Sequence, residues 1–154
     1  MDHASENVVR VGGATYELRA ETPSVEVYRM LRPGAGLSAK TQEASELGLP
    51  NSWFSVTVFH EGAPIGMGRV VGDGGLFFRV VDICVLPEHQ GRGLGKCIMQ
   101  AISDELDRRA PQSANVALIA DGDAKYLYEK FGFVETAPEG IGMAYVVGGT
   151  RDDI

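Results

Sequence analysis

The residues best placed to do chemistry run Gln90-Gly91-Arg92-Gly93-Leu94-Gly95-Lys96. An apolar run, Phe77 to Leu86, leads into them and an amphipathic pattern, Leu94 to Arg109, leads out, which reads as strand, glycine-rich turn, helix. Glycine at alternate positions lets the backbone curl without Cβ clashes. The free amides of the turn and of the first helical turn then converge at the positive end of the helix dipole. Such a loop suits an anion, phosphate above all, and Arg92 and Lys96 add positive charge there. A nucleoside-triphosphate loop of the form G-x-x-x-x-G-K-[ST] needs glycine where Gln90 stands and a hydroxyl where Cys97 stands. The dinucleotide fingerprint G-x-G-x-x-G, begun at Gly91, places Lys96 where its last glycine belongs. Neither pattern is met.

The elements that must position this loop follow from periodicity. Residues 1–13 are polar, end in Gly12-Gly13 and read as a loose lead-in. Thr15 to Ala20 alternates as a strand, and Thr22-Pro23 reads as a helix N-cap with proline at the first helical position. Val27, Tyr28, Met30 and Leu31 give that helix an apolar face, and Pro33-Gly34 is expected to stop it. A thinner helix is expected over Ser38 to Leu47, capped by Gly48. From Trp53 the pattern turns to β: Phe54 to Phe59, Ile65 to Val71 and Phe77 to Leu86 form an antiparallel meander, with Glu61-Gly62 and Gly72-Asp73-Gly74-Gly75 as turns. Apolar residues at 94, 97, 98, 101, 102 and 106 mark one buried face of the helix after the loop. Asn115 to Ala120 reads as a buried strand, parallel to the one before the helix. A short helix from Asp121 or Asp123 through Phe131 follows. Phe133–Thr136 and Met143–Val147 read as a closing antiparallel pair, and the last seven residues as a frayed end.

Composition bounds the function. The 154 residues fit one domain, 1–154, with loose ends at 1–13 and 148–154. Net charge is 14 minus 21, or −7, with no basic run, so a nucleic-acid partner is not expected. No apolar run approaches the roughly 20 residues of a membrane helix, nor does the start resemble a secretory leader, so the expectation is a cytoplasmic protein with no membrane partner. Cys84 lies in the apolar strand and Cys97 on the apolar stripe of the helix, both expected as buried thiols.

Gln90-x-x-Gly93-x-Gly95 after Val85-x-Pro87 resembles the acetyl-CoA pyrophosphate loop of the GCN5-related N-acetyltransferase (GNAT) superfamily. A second block, Ala124-Lys125-Tyr126-Leu127-Tyr128-Glu129-Lys130-Phe131-Gly132-Phe133, resembles the family's "A-x-x-L-Y-x-K-x-G-F" segment and stands at the matching place downstream. The likeness covers roughly Ser52 to Tyr145. It implies an α/β fold: a mixed, mostly antiparallel central sheet with a splayed parallel strand pair and flanking helices. It implies acetyl-CoA as acyl donor, with the backbone of Ile83, Cys84 and Val85 along the pantetheine arm and the amides of Gln90, Gly91, Arg92, Gly93, Leu94, Gly95 and Lys96 on the pyrophosphate. A direct transfer in a ternary complex follows from the same likeness. Tyr128 matches the tyrosine that relatives place near the CoA sulfur, and its phenol can donate a proton to a departing thiolate. An amine must lose its proton before it attacks, and Asp82, a carboxylate in an otherwise apolar strand, is the candidate base. Its bland alternative is a pair with Arg69 or Arg79. Asp121 stands where relatives often carry asparagine; when ionised it accepts but cannot donate, so it serves the cofactor or caps the short helix. Glu88 and His89 are expected to be solvated.

The acceptor expected is a primary amine of a small molecule. Apolar candidates for its pocket are Leu37, Trp53, Phe54, Phe77 and Phe78, with Glu26, Glu43, Glu46 and Asp73 for a cationic head. A peptide acceptor, and a sensor that binds acyl-CoA without turnover, are the rival readings. A homodimer is left open.

Overall fold

Met67 and Gly68 are consecutive on one strand, and consecutive strand residues face opposite sides of a sheet. Met67 is fully buried against Tyr28, Leu31 and Leu49, whereas a Cβ on Gly68 would come within 2.5 Å of Ile98. Helices therefore cover both faces, and the second lies so close that only glycine fits beneath it. The computed structural model in which this is seen describes residues 8–154.

The chain divides into two compact units, one ending at Leu118 and the other running Ile119–Ile154. In the first, β1 (Val8–Val11), β2 (Ala14–Arg19), β3 (Phe54–His60), β4 (Ala63–Gly72), β5 (Phe77–Val85) and β6 (Asn115–Ala117) form one sheet in sequence order. All pairs are antiparallel except β5–β6, which is parallel. This is the expected α/β architecture with a mixed, mostly antiparallel sheet. The parallel ladder holds only from Phe77 to Arg79 against Asn115 to Ala117. Beyond Arg79, β5 runs on to Val85 without a strand on that side among the described residues. The expected strand to Ala120 is thus cut to three residues, because its partner ladder ends there.

α1 (Val25–Gly34) and α2 (Gln42–Gly48) precede the meander, and α3 (Leu94–Arg109) follows the glycine loop. Ser24, not Thr22, is the N-cap of α1: its Oγ accepts the amide of Val27 at 3.2 Å. Pro33 and Gly34 form the last turn of α1 instead of standing beyond it. α2 begins four residues later than expected, because the Thr41 hydroxyl caps it through the amide of Ala44, and because Arg32 Nε takes the carbonyl of Ser38 at 2.8 Å. α3 has the bounds its pattern predicts, and Leu94, Ile98, Met99, Ile102 and Leu106 are buried on its inner face. Each such burial is worth about 1.5–3 kcal/mol. Of the expected lead-in, Val8–Val11 pairs with β2 as an edge strand; the rest up to residue 7 lies outside the described residues. Among the described residues no helix is long and apolar enough to cross a membrane.

In the second unit, α4 (Lys125–Glu129) follows a 3₁₀ turn at Gly122–Ala124 and ends two residues short of the expected Phe131. The expected strand pair over Phe133–Thr136 and Met143–Val147 is not formed. An apolar, β-prone run alone cannot make a strand where no face is buried: Val134, Met143, Tyr145 and Val147 are all more than four-fifths exposed. The end is not simply frayed either, since Thr150 caps a 3₁₀ turn at Arg151–Asp153.

Candidate active site

Gly93 is the N-cap of α3 with φ +78°, and Gly91 has φ +76°, both in the left-handed region that glycine enters freely. No side chain caps the helix. Leu94, Gly95 and Lys96 make up its first turn, where amides have no intrahelical acceptor, and the amides of Gly91, Arg92 and Gly93 make no turn bond among the described residues. A Cβ at Gly91 or Gly93 would meet nothing within 4 Å. Six uncommitted donors thus border open space at the positive end of a 16-residue helix. Gln90 differs from its neighbours. Its amide donates to the Pro87 carbonyl at 3.2 Å and its side-chain Nε2 to the Val85 carbonyl at 2.9 Å, so it shapes the loop and offers no free amide.

A cavity of about 300 Å³ opens at this loop. Ile83, Cys84 and Val85 of β5 form one wall, Gln90, Gly91, Gly93, Leu94 and Gly95 another, and Ala35 and Leu37 beyond α1 a third. Arg92 and Lys96 are exposed and do not line it. Burial, and after it the charge of Asp82, pushes the Cys84 thiol up to about 12. A thiol this hard to ionise is not a nucleophile at neutral pH. Cys84→Ala is therefore expected to keep turnover within about threefold of the parent in a CoA-release assay; a loss beyond about 100-fold with unchanged cofactor affinity would reveal an acyl-enzyme.

Asp82 sits where β5 gains a residue on β4: Cys84 pairs with Met67 and Val81 with Arg69, so Gly68 faces two residues. Its φ of +63° marks the bulge. The side chain is 4% exposed and both oxygens are engaged. Oδ1 accepts Arg32 Nη1 at 2.6 Å and Oδ2 accepts Arg69 Nε at 2.8 Å. The Tyr28 hydroxyl bridges both, at 3.0 and 3.1 Å. Burial first, then the charge of Asp82, raises Tyr28 to about 12, so its phenol stays a donor. This is the surrounding of a structural counter-ion; a base needs a lone pair facing its substrate. Arg69 was foreseeable as the partner. Arg32 and Tyr28, both on α1, were not, since helical periodicity assigns them only to a face.

Tyr128 belongs to the second unit, on α4, edge-on to Phe133 at 6.2 Å between ring centroids. Burial, and secondarily Asp121, raises its pKa, so the phenol is protonated at neutral pH. Asp121 is at the N-cap position of the 3₁₀ turn, with its side chain making no cap bond. His89 is not solvated as expected: it lines the cavity, and its Nδ1 pairs with the hydroxyl of the buried Tyr16 at 2.8 Å. Among the acceptor candidates, Leu37 lines the cavity. Trp53 packs edge-on against Phe78, under the Arg109 guanidinium, and Asp73 is spent on the β4–β5 turn, accepting the amides of Gly75, Leu76 and Phe77.

A sheet whose parallel pair lets go beside an uncapped glycine loop is the arrangement that the resemblance to the GNAT superfamily implies. The family profile described as "Acetyltransferase (GNAT) domain" matches residues 38–143. A solved probable acetyltransferase of unknown function from meticillin-resistant Staphylococcus aureus is 45% identical, with a TM-score of 0.81, over 85% of this chain and 98% of that one. The chloroplastic GCN5-related N-acetyltransferase 2 of Arabidopsis thaliana is 38% identical over 77 residues, 50% of this chain and 29% of that protein. The ribosomal-protein-S18-alanine N-acetyltransferase of Escherichia coli shares the fold, with a TM-score of 0.66 at 20% identity over 79% of each chain. This chain spans only 29% to 42% of the length of the first curated relatives it matches. The chain belongs to the GNAT family of acetyltransferases.

Proposed function

We propose that this protein transfers an acetyl group from acetyl-CoA to the primary amine of a small molecule. The observation that carries the reading is the row of free amides from Gly91 to Lys96 at the mouth of the β5 cavity. The open Cβ positions of Gly91 and Gly93 leave room for a phosphate to approach those amides. They would hold the pyrophosphate, and β5 from Ile83 to Val85, free of a strand on one side, would take the pantetheine arm. Acetyl-CoA supplies the acyl group as an activated thioester.

This chain's residues do the rest. Tyr128 is assigned as the acid for the departing thiolate from its match to the family's tyrosine, and the direction of its pKa, which keeps it protonated at neutral pH, supports that role. The backbone amides of the β5 end would polarise the thioester carbonyl. Cys84, held as a neutral thiol, offers no covalent detour, which supports direct transfer in a ternary complex. Asp121 stands at the N-cap position of the turn before α4 without a side-chain cap bond, which leaves its carboxylate free to accept from the cofactor.

The test is CoA release across a panel of small primary amines and of peptides with free N-termini or lysines, run with the parent and with Tyr128→Phe. Turnover on small amines is expected, with the variant slowed by about 10- to 100-fold at nearly unchanged acetyl-CoA affinity. Turnover on peptides alone would shift the acceptor to protein. Cofactor binding without turnover on any amine would make the protein an acyl-CoA sensor.

A further inference from the structure

Two guanidiniums share one carboxylate, Asp82, which is next in sequence to the cavity-lining Ile83. Arg32 and Arg69 both pair with Asp82, and among the described residues no second carboxylate comes within 4 Å of either. Their side chains are 12% and 10% exposed. Tyr28 supplies no negative charge, since its phenol stays protonated far above neutral pH. One positive charge is left over in a place largely closed to water, where an unmatched ion is costly.

The surplus has a direction. Each nitrogen of Arg32 has a protein partner: Nε and Nη2 donate to the carbonyl and hydroxyl of Ser38, and Nη1 donates to Asp82. Arg69 spends Nε on Asp82 and Nη1 on the Ser52 hydroxyl. Its Nη2 donates to no protein atom among the described residues. Because no fully buried side-chain nitrogen or oxygen there lacks a partner, Nη2 still reaches solvent. The cluster also adjoins the cavity along the chain. Asp82 precedes Ile83 and Ser38 follows Leu37, and both of those neighbours line it. The acidic residues expected to hold a cationic head are elsewhere: Asp73 is spent on its turn and Glu26, Glu43 and Glu46 are exposed.

We infer that the acceptor is an amine that also carries an anionic group, a carboxylate or a phosphate, and that Arg69 binds this group through Nη2. The inference rests on the acetyl-transfer reading above and narrows its substrate class. An anion at Nη2 completes the charge balance that Asp82 leaves half done, and a guanidinium held on two sides binds it with little further loss of side-chain freedom.

Matched pairs test it: phenylalanine against phenethylamine, and O-phosphoethanolamine against ethanolamine, each followed by CoA release and by calorimetric titration of the CoA-bound protein. In at least one pair the anionic member is expected to have at least about tenfold higher kcat/KM and the tighter binding, and the pair preferred tells carboxylate from phosphate. Arg69→Gln is expected to bring that ratio to within about twofold of unity with CoA affinity unchanged, and Arg69→Lys to restore part of it. Neutral amines turned over equally well or better in both pairs, or a preference that survives in a folded Arg69→Gln, would overturn the inference while leaving acetyl transfer intact. No turnover on any amine together with no calorimetric binding of either anionic member would overturn it as well. No turnover but selective binding of an anionic member would sink the transfer reading alone. Should Arg69→Gln not fold, the parent ratios decide.

Discussion

Gly93→Val is expected to abolish acetyl-CoA binding while leaving the sheet folded. Gly93 caps α3 at φ +78°, a conformation that a β-branched residue enters only with strain of about 1–3 kcal/mol. A Cβ added there meets nothing within 4 Å, so the substitution is not resisted by packing at that atom. The damage falls on the ligand. An isopropyl group would stand before the amides of Leu94 to Lys96, which have no other partner, and the strain would turn the first helical turn away from its present line. Affinity measured by calorimetry is expected to fall at least about 100-fold, close to 3 kcal/mol. Circular dichroism should be unchanged and the melting temperature lowered by a few degrees, in line with the strain alone. Gly93→Ala should fall between, since alanine brings the left-handed penalty without the branched bulk. A folded Gly93→Val that binds acetyl-CoA with parental affinity would show that the phosphate rests elsewhere.

The loop was legible because its information is local. Glycine spacing, the apolar run before it and the 3.6-residue stripe after it lie within one continuous stretch, and α3 has the bounds that stripe predicts. The meander was legible for the same reason, as two tight turns join strands adjacent in sequence. What alternation could not carry was any feature needing a distant partner. The Tyr16–His89 bond spans 73 residues and the Arg32–Asp82 pair spans 50. His89 therefore read as a solvated loop residue, and Asp82 as a carboxylate in search of a role. The bulge is silent too, because a run of apolar residues looks the same whether one or two of them face Gly68. The opposite failure occurs over Met143–Val147, where the apolar run is real but its residues lie exposed, so the pattern promised a ladder the chain does not make.

Asp82 is where that gap can be closed by experiment, since the two roles it has been given differ in what its loss would do. Asp82→Asn keeps the volume and tolerates the positive φ of the bulge, while removing the charge. If the carboxylate is the counter-ion of Arg32 and Arg69, its neutral amide leaves two nearly buried guanidiniums facing each other without a compensating anion. Breaking such a pair from one side costs about 3–5 kcal/mol, a large part of the stability of a domain this size. Denaturant unfolding is expected to show a loss in that range with little change in slope. Arg32→Met in the same background should recover part of it, because the second mutation removes one of the stranded charges. A catalytic base predicts the reverse pattern. Stability would stay within about 0.5 kcal/mol of the parent, as for a solvent-facing substitution, and the acidic limb of the kcat/KM profile would vanish with activity. The buried geometry, with four donor contacts on two oxygens, commits Asp82 to the first outcome. On the acetyl-transfer reading, the acceptor amine then loses its proton by a route other than Asp82.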